Sequence, residues 1–517
     1  MIELKSYLQG KWQSGGGVPV ELFDPATGRP VARTSTAGLD LVGALNYART
    51  VGNPALRQMS FAARAELLGA VSKALREARE QLLDLSVATS GTTRSDAKFD
   101  VDGAIGTLAY YADLGAELGD RSIFVDGDAE KLARSPRFCG YHIKSALTGV
   151  ALHINAFNFP AWGMAEKAAC ALLAGMPVIS KPATSTALVA FRAMEAIVQS
   201  GALPAGAWQF IAGPVGDLVS ALDSQDVLAF TGSAATARKL RTSTNVIERS
   251  VRLNVEADSI NAAVLAPAVT DDSYQMFLRD TVREMTQKAG QKCTATRRLF
   301  VPADQLERVQ SDLCERLAQI VIGEPSAEQT RLGPLATRAQ LDEAHRQLKL
   351  LRDEGAKLVF GDPERVTLES GDAAAGCYFG PLLLRLDDPQ NAQHVHQVEV
   401  FGPVATLMPY TGVEQAVALV ARGGGGLVAS LYSDDPAFSS AALLGLAPHH
   451  GRVFFGSAKV ADVATTPGMV LPGSVHGGPG RAGGGEELGG LRGLDLYLQR
   501  TVLQGDRAVI ERALGLR

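Results

Sequence analysis

With 517 residues the chain is too long for a single hydrophobic core to serve comfortably, and two or three domains are expected. Hydrophobic residues make up 46% and charged residues 20%, a balance that excludes a disordered chain. A formal net charge of -5, without any run of Lys or Arg, excludes a basic surface for nucleic acid or anionic lipid.

The residues from Met1 to Trp12 carry charges where a secretory leader needs an apolar stretch. The longest apolar run, around Cys170 to Ile179, is too short to span a bilayer. The five cysteines are scattered, odd in number and without paired metal-ligand spacing. Free thiols in a reducing compartment are expected, hence a cytoplasmic protein without a structural metal.

Apolar residues recur at helical spacing from Phe61 to Gln81 and again from Val101 to Leu118. From Gly149 the pattern changes to short apolar strands alternating with helices. Strands are expected at Val150 to Ile154, Pro177 to Ser180, Trp208 to Ala212, Val227 to Phe230 and Val251 to Val255. Helices are expected between them at Trp162 to Ala174, along Leu188, Phe191, Met194 and Val198, through Leu218 and Leu222, and at Ala234 to Thr242. Such alternation implies βαβ crossovers and a mostly parallel sheet, which binds ligands beyond the carboxyl ends of its strands. A second α/β run follows, with strands at Ala262 to Leu265 and Arg298 to Val301, a long helix to Ala289, and another helix from Gln305 to Ile320. A hairpin is expected near Arg137 to Leu147, a flexible loop at Gly423 to Gly426, and a β-prone segment at Leu496 to Leu503.

Several residues could carry chemistry. Cys293, in Gly290-Gln291-Lys292-Cys293, follows a helical stretch, and Lys292 beside it could favour thiolate. The other reading is a small buried apolar residue. Glu256 ends an expected strand, where a carboxylate can activate water; otherwise it is a solvated loop residue. Asn158, in Asn155-Ala156-Phe157-Asn158-Phe159-Pro160, follows a strand, and its amide can donate to an oxyanion. Phe230-Thr231-Gly232-Ser233 reads as strand, turn and helix start, where backbone amides can meet a pyrophosphate. Gly213, in Gly213-Pro214-Val215-Gly216, is a weaker signal of the same kind.

In order along the chain, Asn158, Lys181-Pro182-Ala183, Phe230-Thr231-Gly232-Ser233, Glu256, Gly290-Gln291-Lys292-Cys293 and Glu399-Val400-Phe401-Gly402-Pro403 resemble the aldehyde dehydrogenase superfamily over almost the whole chain. The resemblance implies a Rossmann-type cofactor domain (1–130 and 149–255), an α/β catalytic domain (256–455) and a small β oligomerisation arm (131–148 and 491–505). It also implies a mechanism. Cys293 attacks the aldehyde carbon, and Asn158 with the Cys293 backbone N–H holds the oxyanion. Hydride leaves to nicotinamide, and Glu256 activates the water that hydrolyses the acyl-thioester. Lys181 would bind the adenosine ribose, Glu399 the nicotinamide ribose, and Phe401 would flank the nicotinamide. Phe157, Ala183, Thr184, Gly213 and Phe230 to Ser233 complete the implied cofactor site.

The departures from the family pattern also carry expectations. Thr184 stands where NAD-preferring members often have Glu; without that carboxylate a 2′-phosphate is not repelled and Lys181 can pair with it, so NADP is expected. Glu166 precedes Lys167 where many relatives have Trp; it is either a solvated helix residue or a proton relay. Around Glu256 the family's Glu-Leu-Gly-Gly is Glu-Ala-Asp-Ser. The stretch from His476 to Gly490, with Asn155 to Trp162, resembles the branch that handles ring-cleavage semialdehydes carried on coenzyme A. A C6 CoA-linked semialdehyde of the kind handled in aerobic benzoate degradation is the expected substrate. Read without that resemblance, the Gly-rich stretch is a flexible surface loop. Free aldehydes, acyl transfer to coenzyme A and a non-catalytic scaffold are the alternatives; the presence of Glu256 argues against acyl transfer. By analogy with the family's arm, a homodimer or a dimer of dimers is expected.

Overall fold

The computed structural model describes residues 1–516. After a short strand at Ile2–Leu4 comes an antiparallel pair, β1 (Ser6–Leu8) and β2 (Lys11–Gln13), and further on the helices α1 (Phe61–Glu77) and α2 (Arg94–Leu118). A long strand, β3 (Phe138–Ala146), precedes the alternating run of β4 (Ala151–Ile154), α3 (Trp162–Ala174), β5 (Val178–Lys181), α4 (Ala187–Gln199), β6 (Trp208–Phe210), β7 (Val227–Thr231), α5 (Ala234–Arg241) and β8 (Arg252–Glu256). The second run comprises β9 (Asn261–Leu265), α6 (Asp271–Thr286), β10 (Thr296–Pro302), α7 (Leu306–Leu317), β11 (Lys357–Phe360), β12 (Leu382–Arg385), β13 (Val404–Tyr410), β14 (Gly426–Tyr432) and β15 (His450–Gly456). Two short strands, β16 (Val475–Gly477) and β17 (Glu486–Leu488), and the longer β18 (Leu498–Asp506) follow, and then a short helix at Arg507–Ala513.

The first sheet runs β8-β7-β4-β5-β6-β1-β2, parallel from β8 to β6. Its central strands are apolar on both faces because helices cover both sides, which is why they read as continuous runs rather than alternations. The chain leaves β4 toward β5 on one side and returns to β7 on the other, so the strand order reverses between β4 and β7. That switch point opens a crevice at their carboxyl ends, beside Asn155 to Asn158 and Thr231 to Ser233. The second sheet runs β11-β12-β13-β10-β9-β14-β15, with β11 antiparallel at its edge.

Helix α3 is buried along nearly all its length and begins below the crevice. The Asp100 carboxylate of α2 caps it, accepting the N–H groups of Ala161 at 3.2 Å and Trp162 at 2.8 Å. Gly175, at φ +96°, ends it.

Five expectations need correction. The helix expected from Phe61 to Gln81 ends at Glu77, and a second starts at Arg79. The segment through Leu218 and Leu222 is only a turn of 3₁₀ helix at Leu218–Ala221. The hairpin expected near Arg137 to Leu147 begins earlier in the chain: Glu130–Lys131 pairs antiparallel with β3, and all of Phe138–Ala146 is one strand, which also pairs antiparallel with β18 from Ala146↔Leu498 to Phe138↔Asp506. The Gly-rich stretch is not a loose surface loop: β16 and β17 form a hairpin, and the turn between them docks on β8. Ala257 N donates to Ala482 O at 2.9 Å and Gly485 N to Val255 O at 3.1 Å. Glycine permits this approach, since a Cβ on Gly483 would lie 2.1 Å from Val255 O. The run Gly423 to Gly426 is part of the same packing: Gly424 O accepts Arg481 N–H at 3.0 Å, and Gly426 starts β14.

Candidate active site

Helix α6 stops at Thr286 because Lys288, Ala289 and Gly290 then adopt left-handed backbone angles, at φ 55°, 52° and 68°. Two successive non-glycine residues there are strained, and such strain persists only where surroundings over-determine the chain. Arg297 supplies that constraint. Its guanidinium donates to Gly402 O at 2.7 Å, Gly290 O at 2.8 Å and Lys292 O at 3.2 Å. Gly290 is also pressed on the Glu399-to-Pro403 segment, where a Cβ would lie 2.3 Å from Gly402 O. Asn261 completes the clamp, donating to Cys293 O at 2.8 Å and Ala295 O at 2.9 Å.

The clamp aims the partly buried Cys293 into a pocket also lined by Asn158, Glu166, Lys167, Thr231, Glu256 and His476, with Phe159, Trp162 and Val470 as apolar wall. Asn158 Nδ2 donates to Gln291 O at 3.1 Å, which holds its amide beside the nucleophile loop. Three sequence-distant candidates, Asn158, Glu256 and Cys293, therefore meet in one cavity.

The electrostatics differ from the sequence expectation. Lys292 does not face the thiol. It is fully buried, 2.8 Å from Glu284 and 2.9 Å from Gln287 Oε1, so its charge is already committed. Burial, and then the neighbouring Glu256 carboxylate, push the Cys293 thiol well above its ordinary value. Burial opposes ionisation of Glu256 too, but His476 and then Lys167 outweigh it and hold the carboxyl below the usual range. His476 Nε2 lies 3.0 Å from Glu256 Oε2 and 3.9 Å from Cys293 Sγ. Glu256 in turn holds the His476 imidazole above its ordinary value, against the effect of burial.

Glu166 is not a solvated helix residue: α3 has little solvent-facing surface there, and Glu166 lies in the pocket 3.2 Å from Lys167 Nζ. Lys167 also pairs with Glu487 at 3.0 Å. Glu487 is buried and its carboxyl raised, although Lys167 partly offsets the cost of burial.

At the crevice, Phe157 and Phe401 meet edge to face at 5.8 Å between ring centres. Glu399 accepts the N–H of Ser259 at 3.0 Å and lies 3.5 Å from Arg297; burial nevertheless pushes its carboxyl up to about 7. The Glu-Ala-Asp-Ser variation thus has a use: Ser259 anchors Glu399, and Asp258 accepts the N–H of Ala234 at 3.0 Å. Asp258 and the Ser233 hydroxyl, which accepts Thr236 N–H, already satisfy two amides at the start of α5, while Gly232 N–H binds Glu256 O. The free pyrophosphate cradle expected there is therefore partly capped by the protein itself. Thr231 Oγ1 is buried at the switch point and has no hydrogen-bond partner among the described residues. Lys181 ends β5, with its ammonium pKa lowered by burial, and Ala183 and Thr184 lead into the next turn. Gly213 packs against Thr34 and Thr36.

His476, Lys167, Glu487 and Arg297 were not singled out by sequence reasoning. A lone His among glycines has no periodicity to exploit, and its position depends on the β16–β17 hairpin docking beside β8.

The aldehyde dehydrogenase family model matches residues 12–501. The chain is 44% identical over 480 residues to a 3,4-dehydroadipyl-CoA semialdehyde dehydrogenase of Aromatoleum evansii, covering 92% of this chain and 93% of that protein. It is 25% identical over 441 residues to a D-glyceraldehyde dehydrogenase (NADP(+)) of Thermoplasma acidophilum, covering 84% and 85% of the two chains. An aldehyde dehydrogenase of Bacillus cereus, solved as an NAD+ complex, superposes with a TM-score of 0.84 at 22% identity, covering 98% of this chain and 97% of that one. Among the described residues no helix is long and apolar enough to cross a membrane. The fold is that of aldehyde dehydrogenases, and the chain belongs to the aldehyde dehydrogenase family, oxidoreductases acting on the aldehyde group.

Proposed function

We propose that the protein oxidises 3,4-dehydroadipyl-CoA semialdehyde to the carboxylic acid with NADP, in the cytoplasm. The observation that carries the reaction type is the convergence of Cys293, Glu256 and Asn158 on one pocket. The substrate reading is supported by the 44% identity to the A. evansii protein.

Cys293 thiolate adds to the aldehyde carbon, and the Asn158 amide with the Cys293 backbone N–H stabilises the resulting oxyanion. The crevice residues fit a dinucleotide: the orphaned Thr231 hydroxyl and buried Glu399 offer polar partners at the switch point, and Phe157 and Phe401 offer apolar walls. Lys181, Ala183 and Thr184 would hold the adenosine end, together with Phe230, Gly232 and Ser233; nicotinamide, when bound, supplies the hydride acceptor. After oxidation the acyl group is a thioester on Cys293. Glu256, kept ionised by His476 and Lys167, takes a proton from water as it attacks the thioester carbonyl. Glu166, with Lys167, relays that proton away. NADP preference rests on Thr184, which offers no carboxylate to repel a 2′-phosphate. The β3–β18 arm presents Phe138 and Val502 to solvent, consistent with assembly into a homodimer or a dimer of dimers.

Following nicotinamide reduction with the CoA-linked C6 semialdehyde, NADP against NAD, tests the whole reading. Cys293→Ala should abolish reduction and leave nucleotide binding intact. Turnover of free aldehydes alone would discard the CoA-linked substrate, and retained turnover in the variant would discard the nucleophile. A new thioester in place of a carboxylate would mean acyl transfer.

A further inference from the structure

The thiol and its base pose a charge problem. Cys293 and Glu256 are close enough for the carboxylate to raise the thiol, and both line the same largely buried pocket. Two such anions cannot coexist without a cation. Lys292 is spent on Glu284, and Lys167 lies between Glu166 and Glu487. Arg452, on β15, donates to Pro467 O at 2.8 Å. His476 is different: one nitrogen, Nε2, reaches both Glu256 Oε2 at 3.0 Å and Cys293 Sγ at 3.9 Å.

We propose that His476 is a catalytic cation that changes partner, its Nε2–H held by the Glu256 carboxylate while Cys293 is a thiol and by the Cys293 thiolate once Glu256 carries the thiol proton. The inference rests on the reading of Cys293 as nucleophile and Glu256 as its base. In the step the S–H bond breaks, its electron pair stays on sulfur, and the proton bonds to a Glu256 oxygen. The imidazolium keeps its own proton, so the net charge of the three groups does not change. When the thioester has formed, sulfur carries no charge. Glu256 then releases its proton, regains the imidazolium as partner and is again available as base for water.

The groups facing His476 fit this role. Glu256 on β8, Glu166 on α3 and Glu487 on β17 favour the protonated ring, while Lys167 on α3 and Arg452 on β15 oppose it, and Cys293 faces it from the nucleophile loop. The hairpin that carries it is tied to β8, where Glu486 N donates to Asn254 Oδ1 at 3.0 Å.

The test is the pH dependence of Cys293 alkylation by iodoacetamide in the full-length enzyme, with Cys293→Ala as the labelling blank. His476→Gln keeps an N–H donor of similar reach without the charge. Its alkylation midpoint should rise by about one pH unit or more, with labelling at pH 7 slowed about tenfold. His476→Lys keeps a cation and should recover part of that loss, and NADP binding by each variant checks the fold. In Glu256→Gln the carboxylate that raises the thiol is gone, while Glu166 still favours the protonated ring that then faces sulfur alone, and the midpoint should fall below that of the wild type. A His476→Gln profile that coincides with the wild type overturns the proposal. So does an equal loss in His476→Gln and His476→Lys without a shift of midpoint, which would mark a packing role. If Glu256→Gln leaves the midpoint unchanged or raises it, the exchange of partners is wrong even where His476→Gln does not fold. Turnover by Cys293→Ala would instead overturn the nucleophile reading beneath it.

Discussion

Lys292 stands next to the nucleophile in sequence and yet belongs to the core, and replacing it with methionine separates the two roles. Its ammonium lies 2.8 Å from Glu284, both side chains being almost wholly inaccessible, at 0% and 1%. At an effective dielectric of about 20 the gross attraction at that distance is about 6 kcal/mol, most of it offset by the desolvation of two ions. Removing one partner does not recover that desolvation cost. Glu284 would keep the N–H of Gly468, at 3.2 Å, but lose its counter-charge, and Gln287 would lose a donor. Such a buried orphan costs about 3–5 kcal/mol, a large share of a domain's stability. Urea unfolding of Lys292→Met, followed by circular dichroism, should show a loss of that size. The double variant Lys292→Met with Glu284→Leu should recover most of it, because no charge is then left unpaired. In the folded fraction Cys293 should alkylate at close to the wild-type rate. Should Lys292→Met unfold within about 1 kcal/mol of the wild type while Cys293 reactivity falls tenfold, the lysine is the thiolate's cation and the electrostatic account of the site is wrong.

Further outcomes follow from the same geometry. Asn158→Ala removes the proposed oxyanion donor and should lower kcat by about 10²- to 10³-fold with little change in the KM for cofactor. A loss confined to KM would instead assign Asn158 to binding. Thr184→Glu should raise the KM for NADP far more than that for NAD; equal effects would remove the basis for the expected NADP preference. Burial lifts the Glu399 carboxyl to about 7, so its acceptor charge is lost as the pH falls through that value. The KM for cofactor should therefore rise below about pH 7 and level off above it, and Glu399→Gln should flatten that limb; an unchanged limb would assign the titration to another group.

Much of the architecture was legible before any coordinates. The apolar runs at Ala151–Ile154 and Val178–Lys181, and the helix Trp162–Ala174 between them, are long enough in register for local pattern to dictate local structure. Asn158, Glu256 and Cys293 were legible only together: each alone also fitted a bland reading, and their order along the chain with the other motifs resolved it. Other features were not, because their determinants are far apart in the chain. The left-handed backbone at Lys288 and Ala289 is paid for by Arg297 and by the Gly402 carbonyl that it holds. The Gly-rich stretch looked loose because glycine carries no pattern, whereas in the fold its lack of Cβ is what lets residues 482–485 lie against β8. That docking brings His476 beside Glu256 and Cys293. Sequence by itself thus determined the alternating α/β plan, the family and the identity of the chemical groups. Only the tertiary structure decided which charges face the thiol, because Lys292 is its chain neighbour while His476, 183 residues away, is its neighbour in space.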